Sequence, residues 1–235
     1  MIARRTIAIN ISTLLYAIFA EAKIFKRNSA RLSRELVERP CRVAQILAAR
    51  GLAKAAVLLT PAAPNGVCSL TLSVLWSFAF VMLPSVFQRP MKLCYPMAVF
   101  AMLKKLPKAQ RREVYSKLVH ESGKAACEIG FSGMREKWAL ASTVESISCP
   151  LLVIAGEDDR ITPASVVKKV ADKYEKQAKP LKYNVYEKHA HWVIGEPGWE
   201  KIAGDVHDWL IDSPARPGAN TLGDSQLKAN GIEKS

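Results

Sequence analysis

Apolar positions in the second half of the chain switch between two periods. Pro150 to Ala155 (PLLVIA) is a continuous apolar run of strand length, and Gly156 to Arg160 (GEDDR) reads as a loop at its C-terminal end. Thr162 is a natural helix N-cap and Pro163 a natural first helical residue. Val166, Val167, Val170, Ala171 and Tyr174 then recur at helical spacing. Tyr183, Val185 and Glu187 alternate with Asn184, Tyr186 and Lys188, which predicts a further strand. Pro197 opens a last helix with Trp199, Ile202, Ala203, Val206, Trp209 and Leu210 on one face. Residues 213–235 are polar and are expected to form a disordered tail.

The first half is less regular. Residues 42–50 (RVAQILAAR) predict a short helix that Gly51 stops. Lys54 to Leu59 (KAAVLL) predicts a buried strand, and Ala62 to Gly66 a loop. Helix, turn and buried strand in succession point to an α/β layer architecture. Leu70 to Phe87 is almost wholly apolar but contains Pro84; it is expected as a buried or substrate-facing helix rather than a membrane span. Met91 to Leu106 predicts a second apolar helical stretch. Arg111 to Cys127 predicts an amphipathic helix, with Val114, Leu118 and Val119 opposite Lys117 and Lys124.

Composition changes this picture little. Apolar residues make up 49% of the chain, enough for a packed core. The net charge of +13 admits nucleic acid, a membrane surface or an acidic partner. No nucleic-acid motif accompanies it, so the expectation is a soluble protein with exposed lysines and no nucleic-acid partner. The cluster Lys104, Lys105, Lys108, Arg111 and Arg112 is read as a solvated face. Five cysteines without a C-x-x-C pair indicate neither a disulfide framework nor a zinc site, and no metal or cofactor is expected. Cys149, before Pro150 and an apolar run, is expected to be buried.

Arg4 and Arg5 precede an apolar stretch, Thr6 to Ala20, followed by Ala20-Glu21-Ala22. Together these outline a secretory signal, but Asn10, Ser12 and Thr13 break the run and an amphipathic helix gives the same string. A cytoplasmic protein is the expectation. Export or a membrane anchor through residues 6–20 is the alternative.

Two groups carry candidate chemistry: the carboxylates Asp158 and Asp159 past one buried strand, and His191 past the next. In open α/β sheets, functional groups gather beyond the carboxyl ends of the strands. A carboxylate there holds a histidine Nδ1–H, fixes the tautomer and leaves Nε2 as a general base. The plain alternatives are a turn with a helix-dipole partner and a packed structural histidine. His189 competes with His191 on local sequence alone. His120 and His207 fall in helical patterns and are expected to be structural or exposed.

Cys149 to Pro163 (CPLLVIAGEDDRITP) and His191 to Trp199 (HWVIGEPGW) resemble the C-terminal half of an α/β-hydrolase. In that family a strand leads into a G-x-D-D-R-x-x-P loop carrying the acid, and an H-W segment carries the base. The resemblance implies Asp159 as acid and His191 as base. Ala44 to Pro64 resembles the helix after the nucleophile and the next strand. It implies a partial α/β-hydrolase fold: a few-stranded, mostly parallel sheet with helices and a helical cap. The expected parts are an N-terminal segment of unclear origin (1–40), hydrolase core (41–64), helical cap (65–143), hydrolase core with the acid and histidine loops (144–212) and tail (213–235). An apolar ester or acyl compound is the implied ligand.

The family's nucleophile lies in G-x-S-x-G, a strained strand-to-helix turn. That pentapeptide is absent from the 235 residues. The corresponding position, residues 36–40, reads Leu-Val-Glu-Arg-Pro, with no glycine and with Glu38 where serine would stand. Gly130-Phe131-Ser132-Gly133 has the wrong spacing. The reading is therefore an ester or acyl-bond hydrolase by ancestry, truncated and catalytically impaired. A surviving enzyme with Glu38 as nucleophile, and a non-catalytic module that binds a ligand or partner through the apolar cap, are the alternatives. Few parallel strands leave an apolar sheet edge, so residues 1–40, in which Thr6 to Ser12 alternates like a strand, or a second copy of the chain is expected to cover it.

Overall fold

A computed structural model describes residues 17–19, 44–45, 48–49, 51, 53–64, 66–69, 71–77, 89–123, 147–176, 178 and 180–213. Its centre is a four-stranded sheet built from β1 (Ala17–Phe19), β2 (Ala56–Leu59), β5 (Leu151–Gly156) and β6 (Leu181–Tyr186), in the order β1-β2-β5-β6. β2, β5 and β6 run parallel; β1 is antiparallel to β2, pairing Ile18 with Val57. Residues 17–19, within the segment 1–40 expected to cover the sheet edge, thus flank β2; the alternating stretch Thr6 to Ser12 lies outside the described residues.

β5 shows why a continuous apolar run makes a central strand. All six of its residues are buried, because helices cover both faces. Leu151, Val153 and Ala155 pack with α4 (Ala164–Glu175) through Val166, Val167, Val170, Ala171 and Tyr174. Leu152 and Ile154 point the other way, onto α5 (Trp199–Asp212) through Ile202, Val206 and Trp209. The buried amide of Gln45 ties the layers, donating to the Ala62 carbonyl and accepting from the Tyr174 hydroxyl. Gly51, at φ +69, ends the helical turn of Ala48 and Ala49 as expected of a left-handed stop.

The segment between β2 and β5 holds α1 (Leu72–Ser77), a short antiparallel pair of β3 (Pro90–Met91) with β4 (Glu121–Ser122), α2 (Tyr95–Ala98) continuing as a π-helical turn over Val99–Leu103, and α3 (Lys108–Lys117). Met91, Leu93, Ala98, Met102, Leu103, Leu106 and Leu118 form a separate apolar cluster that Trp192 joins from the histidine loop. The segment between β2 and β5 contacts the loop after β6 there.

Several sequence expectations fail for identifiable reasons. The expected helix over 111–127 begins at Lys108 and stops at Leu118, which is extended. Pro107 sets the start, and the chain after Leu118 is drawn into pairing with β3. Of the helix expected over 70–87, residues 72–77 are helical, with Leu72 and Trp76 87% and 63% exposed rather than buried; residues 70 and 78–87 lie outside the described residues. The strand expected over 183–188 runs over Leu181–Tyr186 and ends where Tyr186 is buried under α5, its hydroxyl donating to Asp205 Oδ2 at 2.7 Å; Tyr183 packs against the core and Val185 is 44% exposed. The last helix starts at Trp199 rather than Pro197, with Gly198 at φ +91 preceding it. The basic cluster is not a free solvated face: Lys104 and Lys105 pair with Asp158, and Arg111 donates to the carbonyls of Lys104 and Leu106. Cys149 is buried as expected, whereas Cys68 and Cys94 are exposed. Among the described residues no helix is long and apolar enough to cross a membrane.

Candidate functional site

The loops after β5 and β6 meet because the backbone stitches them together. Glu157 N–H donates to the Tyr186 carbonyl at 3.1 Å and Asp158 N–H to the His189 carbonyl at 2.9 Å. Gly156 is the residue that permits this approach. A Cβ there would run into the Ala190 carbonyl oxygen and stand 2.8 Å from that of His189, both backbone atoms. The second loop turns through Lys188, at φ +62.

Asp159 ends up 4% exposed with four donors around it. Its Oδ1 accepts the backbone N–H groups of Ile161 (2.7 Å) and Thr162 (2.9 Å), an aspartate bonding its own chain two and three residues on. Its Oδ2 accepts the Thr162 hydroxyl at 2.8 Å and faces His191 Nδ1 at 2.8 Å. A carboxylate only accepts, so the proton between them belongs to Nδ1. That tautomer leaves His191 Nε2 unprotonated and able to take a proton. His191 is 2% exposed, so its ring is held by packing as well as by the carboxylate.

Thr162 was expected as a helix N-cap. Instead its hydroxyl serves Asp159, with the Thr60 carbonyl 3.2 Å away as a second acceptor, and α4 begins after Pro163 without a side-chain cap. Thr60 is fully buried at the end of β2, has φ +43 and lacks a partner for its own hydroxyl. A β-branched residue in that conformation is strained. Its carbonyl therefore reaches the acid loop at a local cost.

The adjacent aspartate behaves differently. Asp158 pairs with Lys105 and, at 3.2 Å, with Lys104, and the Lys105 ammonium leads in holding its carboxyl below the ordinary range. Arg160 stacks on Phe100, 4.1 Å from the ring centre, and reaches the Phe100 carbonyl at 3.4 Å. Asp158 and Arg160 thus fasten the loop after β5 to the segment of Phe100, Lys104 and Lys105, and Asp159 between them faces His191.

His189 does not meet Asp159. Its Nδ1 lies 3.3 Å from Glu196 Oε2. Glu196, which the sequence analysis does not single out, is fully buried, and burial pushes its carboxyl up to about 7. Burial, then Lys105, lowers the basicity of His189. The signal for Glu196 was an acidic residue inside an otherwise apolar loop, between Gly195 and Pro197. His120 and His207 are exposed. Residues 36–40 and 130–133 lie outside the described residues. Among the described residues no three metal-ligating side chains cluster.

The BpoC protein of Mycobacterium tuberculosis, a candidate non-heme bromoperoxidase, matches this chain with a TM-score of 0.52 at 16% identity, over 74% of this chain and 65% of that one. The fold is that of the α/β-hydrolases. A second structure from M. tuberculosis matches with a TM-score of 0.51 at 16% identity, over 74% of this chain and 63% of that one. A monoacylglycerol lipase of Paleococcus ferrophilus is similar at 19% identity and a TM-score of 0.48, over 73% and 63%. This α/β-hydrolase-like chain thus spans less than two thirds of the length of these structures. No family model and no curated protein matches it.

Proposed function

We propose that Asp159 and His191 are the acid and base of a site for hydrolysis of an ester or related acyl bond, and that this chain is catalytically impaired because it lacks the family's serine turn. The buried 2.8 Å contact between Asp159 Oδ2 and His191 Nδ1 carries the first part. The absence of G-x-S-x-G from the 235 residues supports the second. Without a nucleophile such a constellation loses about 10⁶-fold in rate in the best-measured case. A serine-directed fluorophosphonate is expected to leave the chain unlabelled, and p-nitrophenyl butyrate hydrolysis is expected to match that of the His191→Ala variant. Stoichiometric labelling overturns the impairment. Hydrolysis that disappears in His191→Ala overturns it too, while keeping the roles of Asp159 and His191.

A second reading, a non-catalytic module holding an acyl ligand or partner through the cap, is favoured by the exposed Leu72 and Trp76. It requires an acyl ligand to raise the melting temperature.

A further inference from the structure

One residue grips the chain on both sides of His191. Glu196 Oε2 accepts the backbone N–H of Ala190 at 2.7 Å, and the Glu196 backbone N–H donates to the Trp192 carbonyl at 3.1 Å. Ala190 and Trp192 are the two neighbours of His191. The same Oε2 lies 3.3 Å from His189 Nδ1. Neither His189 Nδ1 nor Glu196 Oε1 has a hydrogen-bond partner by distance and angle, although both are buried. Buried polar atoms left so are costly, and two acceptors facing each other repel. One proton between Oε2 and Nδ1 removes the repulsion and leaves Oε2 free to keep the Ala190 N–H.

We propose that Glu196 is a positioning residue for His191, locking the loop of the base through a proton that it shares with His189. This rests on the reading of His191 as the base and extends it to the residues that aim the ring.

The charges around the pair are consistent with one shared proton near neutral pH. Burial raises the Glu196 carboxyl most; the Ala190 and Trp192 amides and His191 act against this, and Asp159 adds to it. On the other side, burial and Lys105 oppose a second proton on His189, whose ring also meets the Tyr186 ring edge-on. Below the Glu196 transition the carboxyl donates to His189 Nδ1, and the His189 proton sits on Nε2. Above it the carboxylate accepts from Nδ1–H, and Nε2 is bare. The tautomer of His189 therefore reports the proton.

Long-range proton–nitrogen NMR spectra of the full chain, from about pH 5 to about pH 8.5, test this. The parent chain is expected to switch the His189 tautomer near the Glu196 transition, at about 7. In Glu196→Gln, whose amide oxygen keeps the Ala190 N–H and accepts from His189 Nδ1–H at every pH, the switch is expected to vanish while the His191 Nδ1–H signal persists. In Glu196→Ala the Ala190 N–H loses its acceptor, and His191 Nδ1–H is expected to exchange about tenfold faster. Glu196→Asp, one methylene short, serves if the alanine variant does not fold. A His189 switch that survives in Glu196→Gln overturns the proposal. Unchanged His191 Nδ1–H exchange in the shortened variant also overturns it. None of these signals needs turnover. An inactive chain leaves the proposal standing, and an active chain with failing spectra defeats it alone.

Discussion

Asp159 Oδ2 and His191 Nδ1 stand 2.8 Å apart with both side chains almost wholly removed from solvent. Every lone-pair direction of the carboxylate is used: two by backbone N–H groups, one by the Thr162 hydroxyl and one by the imidazole. Such a site tolerates no swap of acceptor for donor. In Asp159→Asn one carboxylate oxygen becomes an NH₂ group. If the amide oxygen keeps the Ile161 and Thr162 N–H groups, the NH₂ points at His191 Nδ1, and the ring must move its proton to Nε2. Nitrogen NMR is expected to show that tautomer, and urea unfolding a loss of about 1–3 kcal/mol. A ring that keeps Nδ1–H in this variant would count against the geometry.

Asp158→Asn provides the contrast one residue away. Its partners Lys104 and Lys105 are part-exposed, and solvent and salt screen the pair. The expected cost is under about 1 kcal/mol, shrinking further as salt is added. If Asp158→Asn costs as much as Asp159→Asn, the division of labour between the two aspartates is wrong.

The contrast also shows how far sequence reading reaches. The strand ending at Gly156 and the helix bearing Val166, Val167 and Val170 were legible because burial on a fixed period leaves a fixed pattern. The candidate acid and histidine were legible because both follow strands that the parallel sheet sets side by side. Local spacing did not separate His189 from His191. That depends on which ring the turn after Lys188 aims at Asp159 and which at Glu196, a tertiary outcome. Thr162 misled because a hydroxyl before Pro163 suits a cap and a carboxylate equally, and the nearer, charged acceptor took it. The segment between β2 and β5 resisted reading because its apolar stretches serve a second small cluster whose partner, Trp192, lies far along the chain.

Gly156→Ala tests the close approach of the two loops. Its added methyl group meets the carbonyls of Ala190 and His189, which are backbone and cannot swing aside. The expected loss is about 2 kcal/mol, read from urea unfolding, with the His191 Nδ1–H signal broadened because its own loop is displaced. A variant as stable as the parent chain, with that signal unchanged, would show that the loops are further apart than described.

Glu196 makes a prediction about pH whose sign is unusual for a carboxylate. Burial holds its folded-state carboxyl at about 7, against an ordinary 4.5. Between those values the folded chain binds a proton that the unfolded chain has released. Stability from this group is therefore full below about 4.5 and is lost as pH rises through about 7, by at most about 3 kcal/mol. His189 works in the opposite sense. Its basicity is lowered by folding, so stability falls as pH drops through the ordinary histidine value of about 6.5. Glu196→Gln removes the first dependence and leaves the second in place to first order. The stability difference, variant minus parent, is expected to grow from about pH 5 to about pH 8 as the parent pays for a buried carboxylate. Unfolding free energies at those two pH values decide it: a difference independent of pH means that Glu196 titrates in the folded chain as an ordinary carboxyl, and its place beside His189 then has no bearing on stability.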